Sequence, residues 1–472
     1  MTTKDYDAIL IGAGQANNPL STTLAEAGWR VALVEEKHVG GTCINEGCTP
    51  TKTMVASARV AHLAQRSSDY GVHTGPVKVD MVEVRQRKRD IVRSFRSGGR
   101  RRLERTAGLD LFMGRARFSG PKSVTVALNE GGTRQLTADH VFINVGQRPR
   151  KPDLPGLESV TALDSTSVME LDEVPEHLMV VGGGYVGVEF GQLFRRFGAE
   201  VTIVQRGGQL LSHEDLDIAQ AVADILREDG VTVVLNADAV RVEQADDGQM
   251  LLTFQVPDGQ ETLTGSHLLL AAGRVPNVEV LDLQTAGIET TGDSAGQGYI
   301  RVNERLETNV PGVYALGDVK GGPAFTHIAY DDFRIVRANL LGGADGATQS
   351  PATTKDRLVP YTVFIDPQLG GVGLTEREAR KQGRDVKIAR MPMSHVARAL
   401  ETDETRGLMK VTVDAESNQI LGGSVLGIEG GEIMSVLQVA MMGGVAYTEL
   451  RDAVFAHPTL AESLNNLFSG LD

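Results

Sequence analysis

The sequence predicts an α/β fold in which two parallel-sheet units are joined by a smaller C-terminal α+β domain. Three observations predict it. A short apolar strand runs into a glycine turn near the start (YDAILIGAG, 6–14), the same pattern returns at 178–205, and strands mix with helices in the last quarter. At 472 residues the chain exceeds one compact core, so about three domains are expected. An apolar content of 41% with 54 glycines suits a globular protein rich in tight turns.

In the first unit the glycine turn leads into a helix over 19–28 and then a strand, RVALVE (30–35), ending in Glu35. In the second, LMVVGGGYVG leads into a helix through Phe197 and a strand EVTIVQ. Between them lie a basic helical stretch from Arg85 to Arg105 and strands around 108–145. Pro149, Pro152 and Pro155 mark a linker. Past Gly273 the chain returns to the first domain, and Pro351–Pro360 opens the last one, with strands YTVFI, LMKVTV and ILGGSVLG and helices ending near Phe468. The expected division is 1–149, 150–272, 273–350 (the central return) and 351–472.

Composition narrows the partners. A formal charge of −14 disfavours nucleic acid and anionic membranes, which are polyanions. The basic run at 85–105, with Phe95 its single aromatic, lacks the repeated aromatics of a nucleic-acid surface and reads as a solvated helix face. No apolar run reaches the ~20 residues that span a bilayer. The polar Met1–Asp5 stretch passes straight into a strand, leaving no room for a signal peptide, so a cytoplasmic location is expected. Two cysteines are too few for a disulfide scaffold or a clustered structural zinc site, and no metal site is expected.

Two Gly-rich βαβ units imply two Rossmann-like dinucleotide sites. Gly12 and Gly14 fit a pyrophosphate turn aimed at a helix N-terminus, and Glu35 can accept both ribose hydroxyls. The third motif glycine is replaced by Asn17, which should loosen helix–strand packing without abolishing binding. Gly182, Gly184 and Gly187 complete the second motif. Its following strand ends in Gln205-Arg206; with no carboxylate for a ribose 2′-hydroxyl and a guanidinium available, a 2′-phosphate is favoured, hence NADPH, with NADH still possible. Arg206 as a merely exposed side chain is the competing reading.

GGTCINEGCTPTK (40–52) is the strongest signal. On an unbroken helix Cys43 and Cys48 would face away from each other. If a helix begins between them, Cys43 can fold back onto Cys48, and a thiol at a helix N-terminus is more acidic. Near the end, His457 stands five residues before Glu462; a carboxylate there can orient the imidazole and make it an acid–base partner for a thiol.

Together these residues resemble the class I pyridine nucleotide–disulfide oxidoreductases over essentially the whole chain. The signature GGTCxxxGCxPTK is intact, and INVGQRP (143–149), AAGRVPN (271–277) and VYALGDV (313–319) are further family marks. The resemblance implies an oxidoreductase that acts on a sulfur group with NAD(P) as acceptor, built from FAD, NAD(P), central and interface domains as a homodimer. It implies that Cys43 is the interchange thiol and Cys48 the charge-transfer thiol. Lys52 and Glu189 become the ion pair at the flavin, Asp318 a ribityl partner, and Tyr185 the ring that gates the nicotinamide pocket. Thr42, Gly146 and Gly273 join the cofactor-binding set, and His457 and Glu462 become the acid–base dyad given to the partner's disulfide.

The branch is narrowed by departures. GGTCINEGCTPTKTMVASA, MSHVARALETDETRGLMKV and HPTLAESLNNLF look closer to mercuric-reductase-like and reactive-chlorine-resistance flavoproteins than to lipoamide dehydrogenases. Mercuric reductases, however, end in a vicinal cysteine pair, and no cysteine follows Cys48 here. Glutathione reductases carry a second arginine for the 2′-phosphate where Ser212 stands. The leading expectation is reduction of a small-molecule or protein disulfide. A metal-ion or quinone reductase with the same redox core is the alternative, and a non-catalytic nucleotide-binding redox sensor is a third.

Overall fold

The computed structural model describes residues 3–292, 298–342 and 351–471. Met1, Thr2 and the stretch 343–350, which carries the expected boundary into the last domain, lie outside the described residues. The chain divides into two compact units: 1–53 with 86–150 and 274–357, and 54–85 with 151–273 and 358–472.

The first unit is built on a parallel sheet. Strand Thr3–Ile11 pairs in parallel with Val31–Glu35 on one side and Thr133–Ile143 on the other. Leu109–Gly120 and Val313–Ala315 extend the sheet outward in parallel, and the antiparallel strand Ser123–Leu128 connects Leu109–Gly120 to Thr133–Ile143. The central strands are continuous apolar runs because both faces are covered. Ala8, Leu10, Leu20, Leu33 and Phe142 pack on the face that carries helix Asn17–Glu26; Ile9, Ala32, Val141 and Ile143 pack on the other. Helix Asn17–Glu26 starts two residues before the expected position, since Asn17 itself is helical. The basic stretch forms helix Met81–Arg105.

In the second unit a four-stranded parallel sheet, with His177–Val181 and Glu200–Gln205 at its centre, holds helix Tyr185–Phe197 against it through Phe190, Leu193 and Phe194. An antiparallel three-stranded sheet, Asp238–Gln244, Met250–Val256 and Gly259–Gly265, follows. The C-terminal part is a five-stranded antiparallel sheet in the order 361–363, 368–373, 420–427, 408–414, 386–392. Helix Gly430–Met442 packs on it through Ile433, Met434 and Leu437. Its Val439 and Met442 point outward, and Val454 beyond it is 100% exposed. No helix among the described residues is long and apolar enough to cross a membrane.

Candidate active site

The first glycine turn is closed by its neighbours. Gly12 adopts φ +86°, and a Cβ there would lie 2.5 Å from the Asn144 carbonyl oxygen. A Cβ on Gly41 would lie 2.9 Å from Gly14 Cα, so the backbone of the cysteine motif presses directly on the turn. Glu35 ends its strand as expected, and its carboxylate is held by backbone N–H groups: Oε2 accepts from Ala13 (2.8 Å), and Oε1 from Lys37 (2.8 Å) and His38 (3.1 Å).

Asn17 corrects the expectation of looser packing. The residue is fully buried, and its amide donates to the carbonyls of Ile11, Gly12 and Phe142 at 3.0–3.2 Å, joining the helix start to two strands and the turn. At the matching place in the second turn a Cβ on Gly187 would come within 1.9 Å of the Gly182 carbonyl oxygen. The first turn is therefore open by about one side chain, and that opening is filled with hydrogen bonds.

The cysteine motif breaks where the sequence needs it to. A short helix, Gly41–Asn45, holds Cys43; Glu46 leaves helical geometry at φ −141°; and the long helix Cys48–Gln65 begins at Cys48 itself. No disulfide joins the two cysteines here, and their side chains lie beside each other. The Cys43 thiol is pushed far above the ordinary cysteine value, first by hydrogen bonding to Cys48, then by burial and the neighbouring sulfur, against smaller opposing effects of Thr326 and Lys52. Cys48, not Cys43, is the thiol at the start of the long helix, the place where a helix dipole favours thiolate.

Asp318 lies in the turn Gly317–Lys320, its carbonyl oxygen accepting from Gln147 Nε2 (3.1 Å). Burial raises its carboxyl above the usual range, Arg274 and Lys320 pull it back, and Asp332 pushes with burial. Gly146 and Gly273 take left-handed φ of +66° and +98°. Thr42 is exposed on the short helix.

In the second unit Gly182 takes φ +114°, with a Cβ there meeting the Ala271 carbonyl oxygen at 2.5 Å, and Gly184 caps the helix that begins at Tyr185. Arg206 is exposed one residue past the strand, as is Ser212. Glu189 is buried and accepts from the backbone N–H of Phe364 (2.8 Å). Lys52 and Glu189 belong to different units. His457 Nδ1 lies 3.0 and 3.1 Å from the two oxygens of Glu462, with the imidazole 72% exposed, so the spacing of five does bring the two together.

Three polar residues escape a motif reading. Asn144 Nδ2 donates to the Leu316 carbonyl (2.7 Å) while its Oδ1 accepts from the first helical N–H, Asn17 (3.3 Å). Gln205 Oε1 accepts from Gly183 N–H (2.9 Å), the place in the second turn that Glu35 fills in the first. Thr326 Oγ1 lies 3.2 Å from Cys48 Sγ, 278 residues away in sequence. Asn144 sits inside INVGQRP and could have been found there; Thr326 has no local signal.

These residues fit a flavin dinucleotide. A glycine turn with no room for a Cβ, a carboxylate at the end of the second strand and a two-cysteine segment whose Gly41 backbone presses on that turn form a cradle of the required chemistry. Comparison with known proteins agrees. Residues 6–332 match the family described as pyridine nucleotide-disulphide oxidoreductase, and residues 359–468 match its dimerisation domain. The chain belongs to this family. The family's relatives include the probable pyridine nucleotide-disulfide oxidoreductase RclA of Escherichia coli, 38% identical over 98% of this chain and 99% of its own length. A Staphylococcus aureus mercuric reductase is 34% identical over 98% of this chain and 81% of its own. Dihydrolipoyl dehydrogenase of Bacillus subtilis is 32% identical over 97% and 94%. Among solved structures, the Cu(II) complex of the HOCl-induced flavoprotein disulfide reductase RclA from Escherichia coli covers 99% of both chains with a TM-score of 0.87 at 38% identity. As a family member this chain is an FAD-dependent NAD(P)H disulfide oxidoreductase, and its dimerisation domain supports a homodimer.

Proposed function

We propose that Cys43 and Cys48 are the redox pair and that a disulfide, small or protein-borne, is the substrate, with NADPH the preferred donor. The observation that carries this is the pair of adjacent thiols at a helix break, in a segment whose Gly41 backbone presses on the first nucleotide turn. Bound FAD, held by Gly12, Gly14, Glu35 and Asp318, supplies the two-electron link between the nicotinamide and the sulfurs. Thr42, Gly146 and Gly273 complete the cofactor-binding backbone, and Lys52 and Glu189 serve as flavin-site charges. Tyr185 is the ring that moves aside for the nicotinamide, and Gly182, Gly184, Gly187 and Arg206 hold the nucleotide.

Cys43, once deprotonated, attacks one sulfur of the substrate disulfide; a mixed disulfide forms and one substrate thiol leaves. The partner subunit's His457 takes up the Cys43 proton and returns it to the leaving thiolate. Cys48 then attacks Cys43, the second substrate thiol leaves, and the Cys43–Cys48 bond is restored. The exposed imidazole held by Glu462, and the outward-facing Val439, Met442 and Val454, support a dyad presented to a second copy. Anaerobic titration with NADPH should develop a long-wavelength thiolate-to-flavin band that Cys48→Ser abolishes; an unchanged band in that variant overturns the assignment.

The likeness to the Cu(II) complex of RclA favours a second reading, in which the same dithiol reduces a metal ion. Turnover of glutathione disulfide, lipoamide, Hg(II), Cu(II) and a quinone, each with NADH and NADPH, separates the two. We assign 1–149 and 273–350 to the flavin domain, 150–272 to the nucleotide domain and 351–472 to the interface domain. We place the enzyme in the cytoplasm, where a reducing poise suits cycling thiols.

A further inference from the structure

Glu214 is a fully buried carboxyl group that the reaction above does not use. It lies in the loop between strand Glu200–Gln205 and helix Leu216–Glu228. Its Oε1 accepts a 2.5 Å hydrogen bond from the hydroxyl of Tyr361, and its Oε2 has no partner among the described residues. The loop is pinned beside it: Asp215 accepts from the backbone N–H groups of Glu376 and Arg377 and pairs with the buried ammonium of Lys410 at 2.9 Å.

Tyr361 opens the edge strand Tyr361–Val363 and faces Gly371 on the neighbouring strand. A Cβ at Gly371 would lie 2.2 Å from the phenol ring, so the ring lies across the space that this glycine leaves free. The same ring stacks on Tyr185, with centroids 5.9 Å apart and planes 23° from parallel. Burial, with Asp215 and Glu378, raises the Glu214 carboxyl to about 7, against the Tyr361 hydrogen bond and Arg377. Burial and the Glu214 charge push both phenols up, so both stay protonated.

We propose that Tyr361 and Glu214 are positioning residues that hold the Tyr185 ring in its closed place and thereby set nucleotide affinity. The inference rests on the reading of Tyr185 as the gate. A ring that must leave a stacked neighbour before the nucleotide can dock lowers apparent affinity by the fraction of molecules already open. The hydroxyl of Tyr361 fixes that neighbour by binding a carboxyl that cannot move.

Stopped-flow reduction of the holoenzyme flavin by NADPH tests this. Tyr361→Phe keeps the ring and loses the anchor; Glu214→Leu removes the acceptor and the unpartnered oxygen together. Each should lower the apparent Kd for NADPH three- to tenfold and leave the limiting reduction rate and the KM for disulfide within twofold. Glu214→Gln, which still accepts from Tyr361, should stay within twofold of wild type. The band formed on reduction with dithiothreitol, unchanged in all variants, shows an intact flavin–thiol site. An unchanged apparent Kd in both Tyr361→Phe and Glu214→Leu overturns the inference, as does a parallel loss of every rate. Tyr185→Ala separates the two readings. If it shifts the apparent Kd while Tyr361→Phe does not, only the positioning role fails; if it does not, the gate fails and the positioning role falls with it.

Discussion

The hydroxyl of Thr326 lies 3.2 Å from the sulfur of Cys48, at the first residue of helix Thr326–Leu341. It also acts on Cys43, lowering the proton affinity that its dithiol partner raises. One hydroxyl therefore serves both sulfurs. A hydrogen bond to a charged group is worth about 1.5–3 kcal/mol, or roughly one to two pH units of titration. Thr326→Val should shift the pH dependence of iodoacetamide alkylation of the reduced enzyme upward by about one unit. An unshifted profile would rule out the contact.

Asn17 gives a test against motif reasoning. Restoring the family glycine with Asn17→Gly removes three donor contacts; the Ile11 carbonyl keeps its bond from the Asn144 N–H, while Gly12 and Phe142 lose the amide. Losses of this kind cost about 1–3 kcal/mol. The variant should therefore melt a few degrees lower and release FAD more readily, measured by flavin fluorescence during heating. A higher melting temperature would show that glycine is the better residue there after all.

Arg206 is exposed at the end of the second nucleotide strand, with no carboxylate on the strand end and Gln205 already committed to Gly183. Arg206→Glu should raise the KM for NADPH by about tenfold or more and leave the KM for NADH within twofold. Equal effects on the two nucleotides would show that Arg206 does not read the 2′-phosphate.

Glu214 makes stability depend on pH in an unusual direction. Its carboxyl keeps a proton in the fold up to about 7, whereas the unfolded chain releases it near 4.5. Between those values folding takes up a proton, so this group's contribution is fully present below about 4.5 and is lost as pH rises through about 7. The loss is roughly 3 kcal/mol at most. Tyr361, Asp215, Glu378 and Arg377 are the titratable and charged neighbours that set it. The stability difference between wild type and Glu214→Gln, measured by urea unfolding at pH 5 and pH 8, should favour Glu214→Gln more at the higher pH. A difference independent of pH would contradict the burial argument.

Local patterns carried the parts of this molecule that are local. The strand–glycine–helix units, the break between Cys43 and Cys48 and the His457–Glu462 spacing all act within a few residues, and each could be read directly. Asn17 was misjudged because a missing glycine looks like a loss until the carbonyls around it are known, and Phe142 is 125 residues away. Thr326 and the Tyr361–Glu214 pair had no signal at all. They join positions 278 and 147 residues apart, and nothing about a threonine or a tyrosine announces what the fold will bring beside it.

The phenol of Tyr361 and the bare α-carbon of Gly371 amount to one decision written at two addresses. Neither can drift alone: any side chain at 371 collides with the aromatic plane, and a smaller residue at 361 leaves a void where that plane had been. Descendants of this sequence that abandon one should be found to have abandoned both, so the two columns ought to change in step wherever related chains are compared.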